Sequence, residues 1–299
     1  MQADVLTREQ RAMSRLSIVL TWLMHILCLA VFFVPFSWKL VGLAVASYFV
    51  RMWSITAGYH RYFSHRSYKT SRAFQFFLAW MGTSAMQNGP LWWTSWHRRH
   101  HRYSDTVDDA HSPIQGGFWH AHMGWFIDGS HDYPDLSNVR DFSRFPELRF
   151  IDKYKWMPLV MLGAICYAIA GTAGLVWGLV VSSVVLLHVT ACINSLAHVW
   201  GSRRFETSDT SRNNWLLAIF TLGEGWHNNH HHLQSSTKQG VAWYELDVCY
   251  ITLWVLSKLG IVWDLRTHAS IAAKRSRSLA RVDSMADVAI VSEGPLEAE

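Results

Sequence analysis

The sequence predicts an all-α integral membrane fold, with four transmembrane helices in two hairpins and a helical cap on the cytoplasmic side. Three observations predict it. Half of the 299 residues are hydrophobic. The apolar residues gather in runs of about the length that spans hydrocarbon, roughly 20 residues. Trp, which collects at membrane interfaces, occurs 17 times.

Residues 1–15 are polar and basic, with Arg8, Arg11 and Arg15. The first apolar run, Leu16 to Val34, has no small-residue cleavage signal after it and reads as a retained span. Pro35 to Lys39 is too short for a domain, so the run from Leu40 to Tyr59 folds back as a hairpin. Residues 73–86 are apolar but short, which predicts a re-entrant or interfacial helix. A polar stretch, about 95–153, precedes the second hairpin, 157–173 and 175–193, hinged near Gly174. Residues 241–263 carry Trp243, Trp254 and Trp263 and read as an interfacial amphipathic segment. The membrane domain is thus residues 1–265. The tail, 266–299, lacks periodicity and is expected to be disordered.

The formal charge of +5 is spread between apolar runs, without the basic stripe of a nucleic-acid protein. Arg98, Arg99, Arg102, Arg203 and Arg204 fall on the face shared by both termini. The positive-inside rule makes that face cytoplasmic. Cys28, Cys166, Cys192 and Cys249 lack metal-finger or redox spacing and read as small hydrophobes.

Histidine also numbers 17, more than a core needs, and imidazole is the commonest metal ligand. Three clusters stand out: His60-Arg-Tyr-Phe-Ser-His65, His97-Arg-Arg-His100-His101 and His227-Asn-Asn-His230-His231. On a helix, positions i, i+3 and i+4 lie within about 100° of arc, so each H-x-x-H-H run aims three rings from one face. An i, i+5 pair lies about 140° apart, so the first cluster needs a distorted helix to converge. A lone cluster could be polar surface. Three on one inferred face point to metal, and eight imidazoles suit two ions better than one. Ligand type alone leaves iron, copper, zinc and nickel open. No H-E-x-x-H occurs, which argues against a zinc protease. The Glu224-Gly-Trp-His227 match is single, so Glu224 is read as orienting a ligand from behind.

These boxes, in this order among two apolar hairpins, resemble the membrane fatty-acyl desaturases of the acyl-CoA, stearoyl-type delta-9 class. Gln87-Asn88 and Trp93 before the second box, Asn194-Ser-Leu-Ala-His198 at the last span, and Ser211-Arg212-Asn213 with Gly223-Glu224-Gly225 before the third extend the likeness over about residues 40–265. The resemblance implies two iron ions (Fe2+) and O2 as cofactors. It implies as metal ligands His60, His65, His97, His100, His101, His198, His227, His230 and His231, with Asn194 linked through water. Asn88 and Trp93 become candidate substrate contacts. The implied reaction puts a cis double bond, delta-9 by resemblance, into a saturated chain carried on CoA or membrane lipid. Electrons would come from a ferredoxin or similar carrier, and the protein would be a multi-pass membrane protein with both termini and the metal site cytoplasmic. The family's Arg-Asp pair before the second box is here Ser95 and Trp96, and Gly124-Trp125 leads to Asp128-Gly-Ser-His131 rather than to a basic pair. Those departures weaken the case for CoA, whose phosphates want Arg and Lys. Two rivals remain at this stage: a hydroxylase on the same scaffold and a His-rich metal transporter. Ala44, Ala46, Tyr48 and Met52 of the second span are candidate floor residues of an acyl tunnel. His111, beside Asp105, Asp108 and Asp109, reads equally as a support of the site or a solvated loop. His120 and His122 read as interfacial packing. His25, His188, His232 and His268 read as non-ligands.

Overall fold

A computed structural model of the chain describes residues 8–127, 131 and 133–273. Of the tail expected to be disordered, 266–273 is ordered: residues 268–273 are helical and the Arg266 N–H donates to the Ser67 carbonyl, while 274–299 and Asp128-Gly-Ser130 lie outside the described residues. The fold is mostly helical. Helix α1, Arg8–Leu27, tightens into a 3-10 turn over Cys28–Phe33. Helix α2, Trp38–Trp53, starts where the Ser37 hydroxyl accepts from the Leu40 N–H at 3.3 Å. It continues as a π-helix through Ser54–Ser64. Helices α3, Arg72–Thr83, and α4, Pro90–Tyr103, follow. After a looped region come α5, Pro146–Lys153, α6, Met157–Leu175, and α7, Ser182–Asn194. Short α8, Trp215–Phe220, and α9, His227–His232, then lead to α10, Val248–Lys258. One small antiparallel ladder pairs β1, Lys69–Thr70, with β2, Val262–Trp263, in the register Lys69 to Trp263.

Among the described residues, two stretches are long and apolar enough to cross a membrane, Trp38–Ser64 and Met157–Val199. Ile18–Phe33 and Val248–Lys258 are shorter apolar helices. The hinge expected near Gly174 falls earlier, at Ala170 and Gly171, the only non-helical residues within α6; Gly171 has φ +57°, open to a residue without Cβ. Gly174 serves another purpose. A Cβ there would sit 2.1 Å from the Cys166 carbonyl oxygen, so glycine lets the two limbs touch. Phe33 and Trp38 are 87% and 79% exposed, and Val160 and Ile169 project outward as well. Apolar surface of this extent fits lipid better than water. The four cysteines are free.

Beneath the helices, Met52, Tyr59, Phe63, Tyr68, Leu78 and Leu253 form part of one buried core. Arg51 is fully buried within α2. Its guanidinium donates to the Ser47 and Ser84 carbonyls and to the Ser183 and Ser182 hydroxyls, tying α2 to α7 and to the end of α3. His25 and His188, polar spots in apolar helices, meet at 3.0 Å between Nε2 atoms. His188 Nδ1 meets His122 Nε2 at 3.0 Å, and His122 Nδ1 meets the Ser195 hydroxyl at 2.9 Å. Polar contacts of this kind hold helices together where lipid offers no partner.

Candidate metal centre

Four elements bring the histidines together. The π-helix at the end of α2 closes a hydrogen bond from the His65 N–H to the His60 carbonyl, five residues back, at 3.2 Å. Winding of that period sets residues five apart on one face, and π-turns recur at functional sites. The His60 and His65 rings stand 4.7 Å apart, so the distortion the spacing called for is present. Helix α4 presents His97, His100 and His101 at i, i+3 and i+4. Its first turn is held from outside: Asp152 Oδ1 accepts from the N–H of Leu91 at 2.9 Å and of Trp92 at 3.3 Å. The turn after α7 supplies His198, and α9 supplies His227, His230 and His231.

The ligand atoms divide into two groups, each able to hold one metal ion: His60, His65, His97, His101 and His230, and His100, His198, His227 and His231. In the first, Nε2 atoms run in sequence, His60 to His230 at 2.9 Å, His230 to His101 at 2.9 Å, His101 to His97 at 3.0 Å and His97 to His65 at 2.9 Å. In the second, His198 and His227 face each other through Nε2 at 3.1 Å, and His231 Nε2 is buried without a partner. Asn194 lies beside both groups, lining two cavities shared with His97. The nine predicted histidines fall in these two groups, and Asn194 lines the cavities beside them.

Carboxylates stand behind the rings. Glu224 Oε2 faces Nδ1 of His60, Asp109 faces that of His100 at 3.0 Å, Asp105 that of His198 at 3.2 Å and Asp209 that of His231 at 2.6 Å. An acid there keeps the proton on Nδ1 and turns the Nε2 lone pair inward, as metal-bound imidazoles require. Burial first, then neighbouring rings, push His65, His97, His101, His227 and His230 well below the ordinary imidazole value. Burial takes His231 down to about 4 against the pull of Asp209. Neutral rings with inward lone pairs crowd together, an arrangement that suits a cation at each centre.

Burial alone would raise the Asp105, Asp109 and Asp209 carboxyls, but hydrogen bonds and charge from His198, His100 and His231 outweigh it and hold all three below the usual range. Glu224 is lowered in the same way by His60 and Arg61. The reading of Glu224 as an orienting group agrees with this geometry. Asp209 was missed: it sits in a polar loop, and nothing in its spacing distinguishes it from a solvated acid. His111 packs its ring 4.3 Å from that of His100, and its backbone N–H donates to Asp109, so it supports the site. His120 bonds the Ala110 carbonyl, and His232 stacks on Phe205 away from both groups.

A cavity of about 250 Å3 adjoins the centre, lined by Asn88, Trp93, Thr21 and Lys155 among others. A smaller one, about 40 Å3, lies among Met52, Ile55, Thr56 and Thr221. Both are lined by Trp93, His97, Thr190 and Asn194. The Trp93 ring stacks on His97 at 4.7 Å.

The comparisons with known proteins agree with the geometry. The family model described as Fatty acid desaturase matches residues 36–258. The chain belongs to the fatty acid desaturase family. Delta-9 acyl-lipid desaturase 1 of Arabidopsis thaliana is 36% identical over 279 residues, 90% of this chain and 91% of its own. The sn-1 stearoyl-lipid 9-desaturase of Anabaena variabilis is 37% identical over 247 residues, 81% of this chain and 89% of its own. The Acyl-CoA C20 Delta5-desaturase of Anemone leveillei is 35% identical over 258 residues, 84% of this chain and 81% of its own. This desaturase is accordingly a fatty-acyl oxidoreductase of lipid metabolism, with histidine groups compatible with a metal centre.

Proposed function

We propose that the desaturase holds two iron ions on its histidine groups, five rings to one and four to the other, with Asn194 acting through water. We further propose that it makes a cis delta-9 double bond in an acyl chain carried on a membrane lipid. When bound, the metal pair would supply, with O2 and two external electrons, the oxidising power to take hydrogen from two adjacent CH2 groups. The protein's contribution is position. An unactivated methylene offers no acid–base handle, so the site of attack follows from where the chain is held. A chain lying from the larger cavity into the smaller passes Trp93, His97 and Asn194 and ends against Met52, Ile55 and Thr56. Of the candidate floor residues, Met52 lines that end and Tyr48 is buried, donating to the Phe220 carbonyl, while Ala46 faces outward. The apolar walls exclude water from the reacting carbon.

The choice of carrier rests on charge. Lys155 is the one Lys or Arg among the described residues lining the larger cavity, and it donates to Asn88. Ser95, where the resemblance places a headgroup contact, is buried and exchanges hydrogen bonds with the Asp135 backbone. A phosphate-rich carrier wants several cations. A lipid ester fits a wall of Thr21, Gln87 and Thr190, and Ile18 of α1 with Leu187 of α7 places the mouth among apolar helices. We place the protein in the membrane with four spans and the metal centre cytoplasmic, reduced by a ferredoxin or similar carrier. The observation that carries the reading is the pair of imidazole groups at the junction of two cavities.

The test is gas chromatography–mass spectrometry of fatty-acid methyl esters from cells expressing the chain with a ferredoxin system, against His100→Ala. Pulse-labelled acyl chains are followed in the separated lipid and acyl-CoA pools. A new monoene appearing first in intact lipid, absent from the variant, is expected. Hydroxylated chains without alkenes would overturn desaturation, and a monoene appearing first on CoA would overturn the carrier.

A further inference from the structure

The two groups of imidazoles are not supported alike. In the four-histidine group, three of four rings carry a carboxylate on Nδ1: Asp109 on His100, Asp105 on His198 and Asp209 on His231. Only His227 Nδ1 is buried without a partner. The five-histidine group has one such acid, Glu224 on His60. His101 Nδ1 and His230 Nδ1 are buried with no partner, and among the described residues no ion pair reaches His65 or His97. Glu224 is moreover drawn to Arg61, whose Nε donates to its other oxygen at 3.1 Å. Arg61 itself is shared with Asp247 at 2.9 Å.

Among the described residues, no Lys or Arg forms an ion pair with the carboxylate of any of the three aspartates. Asp105 accepts from the Thr210 N–H and hydroxyl at 2.7 and 2.6 Å and from the Ser112 hydroxyl at 2.8 Å. Asp109 accepts from the backbone N–H groups of Asp105 and His111. Asp209 accepts from the Ser211 N–H at 3.0 Å and the Thr207 hydroxyl at 3.0 Å. Asp109 and Asp209 are buried and the Asp105 side chain is 7% exposed, so their charges act through a poorly screened medium. A carboxylate behind a ligand ring fixes the tautomer and makes the ring a better donor, and losing one weakens metal binding by about 10–100-fold.

We infer that the two metal positions are unequal, the four-histidine position filling first and holding its ion at least about tenfold more tightly, because Asp105, Asp109 and Asp209 support it. The extra nitrogen of the five-histidine position counts the other way. Two more carboxylates, each worth about one to two powers of ten, outweigh it. The three aspartates are positioning residues: they act on the ion through the rings they hold. This inference rests on the metal-centre reading above.

The test uses full-length protein in detergent micelles, stripped of metal and titrated without oxygen with 57Fe(II), read by Mössbauer spectroscopy. Below one equivalent, a single quadrupole doublet is expected, with a second growing only after the first is full. Glu224→Gln leaves that first doublet unchanged and weakens the second. Asp209→Asn, which keeps an oxygen acceptor for the neighbouring N–H, shifts the first doublet and makes both appear together from the start. If that variant does not fold, Asp109→Asn carries the same expectation. Two doublets growing in equal proportion from the first addition in the unsubstituted protein would overturn the inference and leave the centre standing. No bound iron at all would overturn both.

Discussion

Glu224 Oε1 accepts from Nε of Arg61 at 3.1 Å while Oε2 faces Nδ1 of His60, so one buried carboxylate joins a structural cation to a ligand ring. Both side chains are almost wholly buried, and Arg61 also donates to Asp247 and to the Thr237 carbonyl. Glu224→Ala leaves buried donors without their acceptor, and a loss of roughly 3–5 kcal/mol in stability is expected. Glu224→Gln keeps one acceptor oxygen where Glu224 offers two, so it should lose less stability than Glu224→Ala and lower metal affinity by about 10–100-fold. Thermal unfolding and metal content, measured on the same preparations, separate the two effects. Equal unfolding temperatures for the Ala and Gln variants would refute the assignment.

Arg51 offers a contrast, because its four acceptors are carbonyls and hydroxyls rather than acids. The guanidinium fork reaches three segments at once, and a lysine's single ammonium cannot. Arg51→Lys should therefore cost more than Arg51→Met, which removes the buried charge and leaves the Ser182 hydroxyl still bonded to the Gly178 carbonyl. A difference of about 1–3 kcal/mol is expected in denaturant unfolding. Lysine proving the milder change would mean that charge, not fork geometry, holds the site.

Much of the centre was legible because box spacing is a statement about helix faces. H-x-x-H-H on α4 and α9 needs only ordinary helical winding, and the i, i+5 pair announced a distortion, which the π-helix supplies. His198 was reached through its resemblance to the family and not by spacing. Asp209 escaped, and Asp105 was noticed beside His111 without its pairing to His198, because an acid behind a ring is chosen by tertiary approach: His198 and Asp105 lie 93 positions apart. The hinge was set three residues late because Gly174 looked like a turn, whereas its role is close packing against Cys166. The small β1–β2 ladder, two residues to a strand, left no periodic signal.

Met52 is 1% exposed and lines the smaller cavity below the histidines. Met52→Phe should shorten the space beyond the reacting carbons. One methylene in an apolar pocket is worth about 1–3 kcal/mol, so the ratio of shorter to longer monoene should rise by about tenfold. The fatty-acid profile of expressing cells reads this directly. An unchanged ratio with full activity would show that the chain ends elsewhere.

Asp152 gives a pH dependence with a definite sign. Burial pushes its carboxyl up to about 6, against the N–H groups of Trp92 and Leu91 and the charge of Lys155, which pull it down. The folded protein thus keeps a proton that the unfolded chain releases near its ordinary value of about 4. Stability from this group is full below about pH 4 and is lost as pH rises through about 6. The shift of roughly two units sets a ceiling of about 3 kcal/mol. Asp152→Asn retains an oxygen for both N–H groups without a charge to bury, so its unfolding temperature should fall less between about pH 5 and pH 7. Asp152→Ala should lose stability at every pH, by about 1 kcal/mol, because the first turn of α4 loses its acceptor. That turn carries the second histidine box, so the Ala variant should also bind metal less tightly than the Asn variant. Identical slopes for the unsubstituted protein and Asp152→Asn would place the pH dependence in another group.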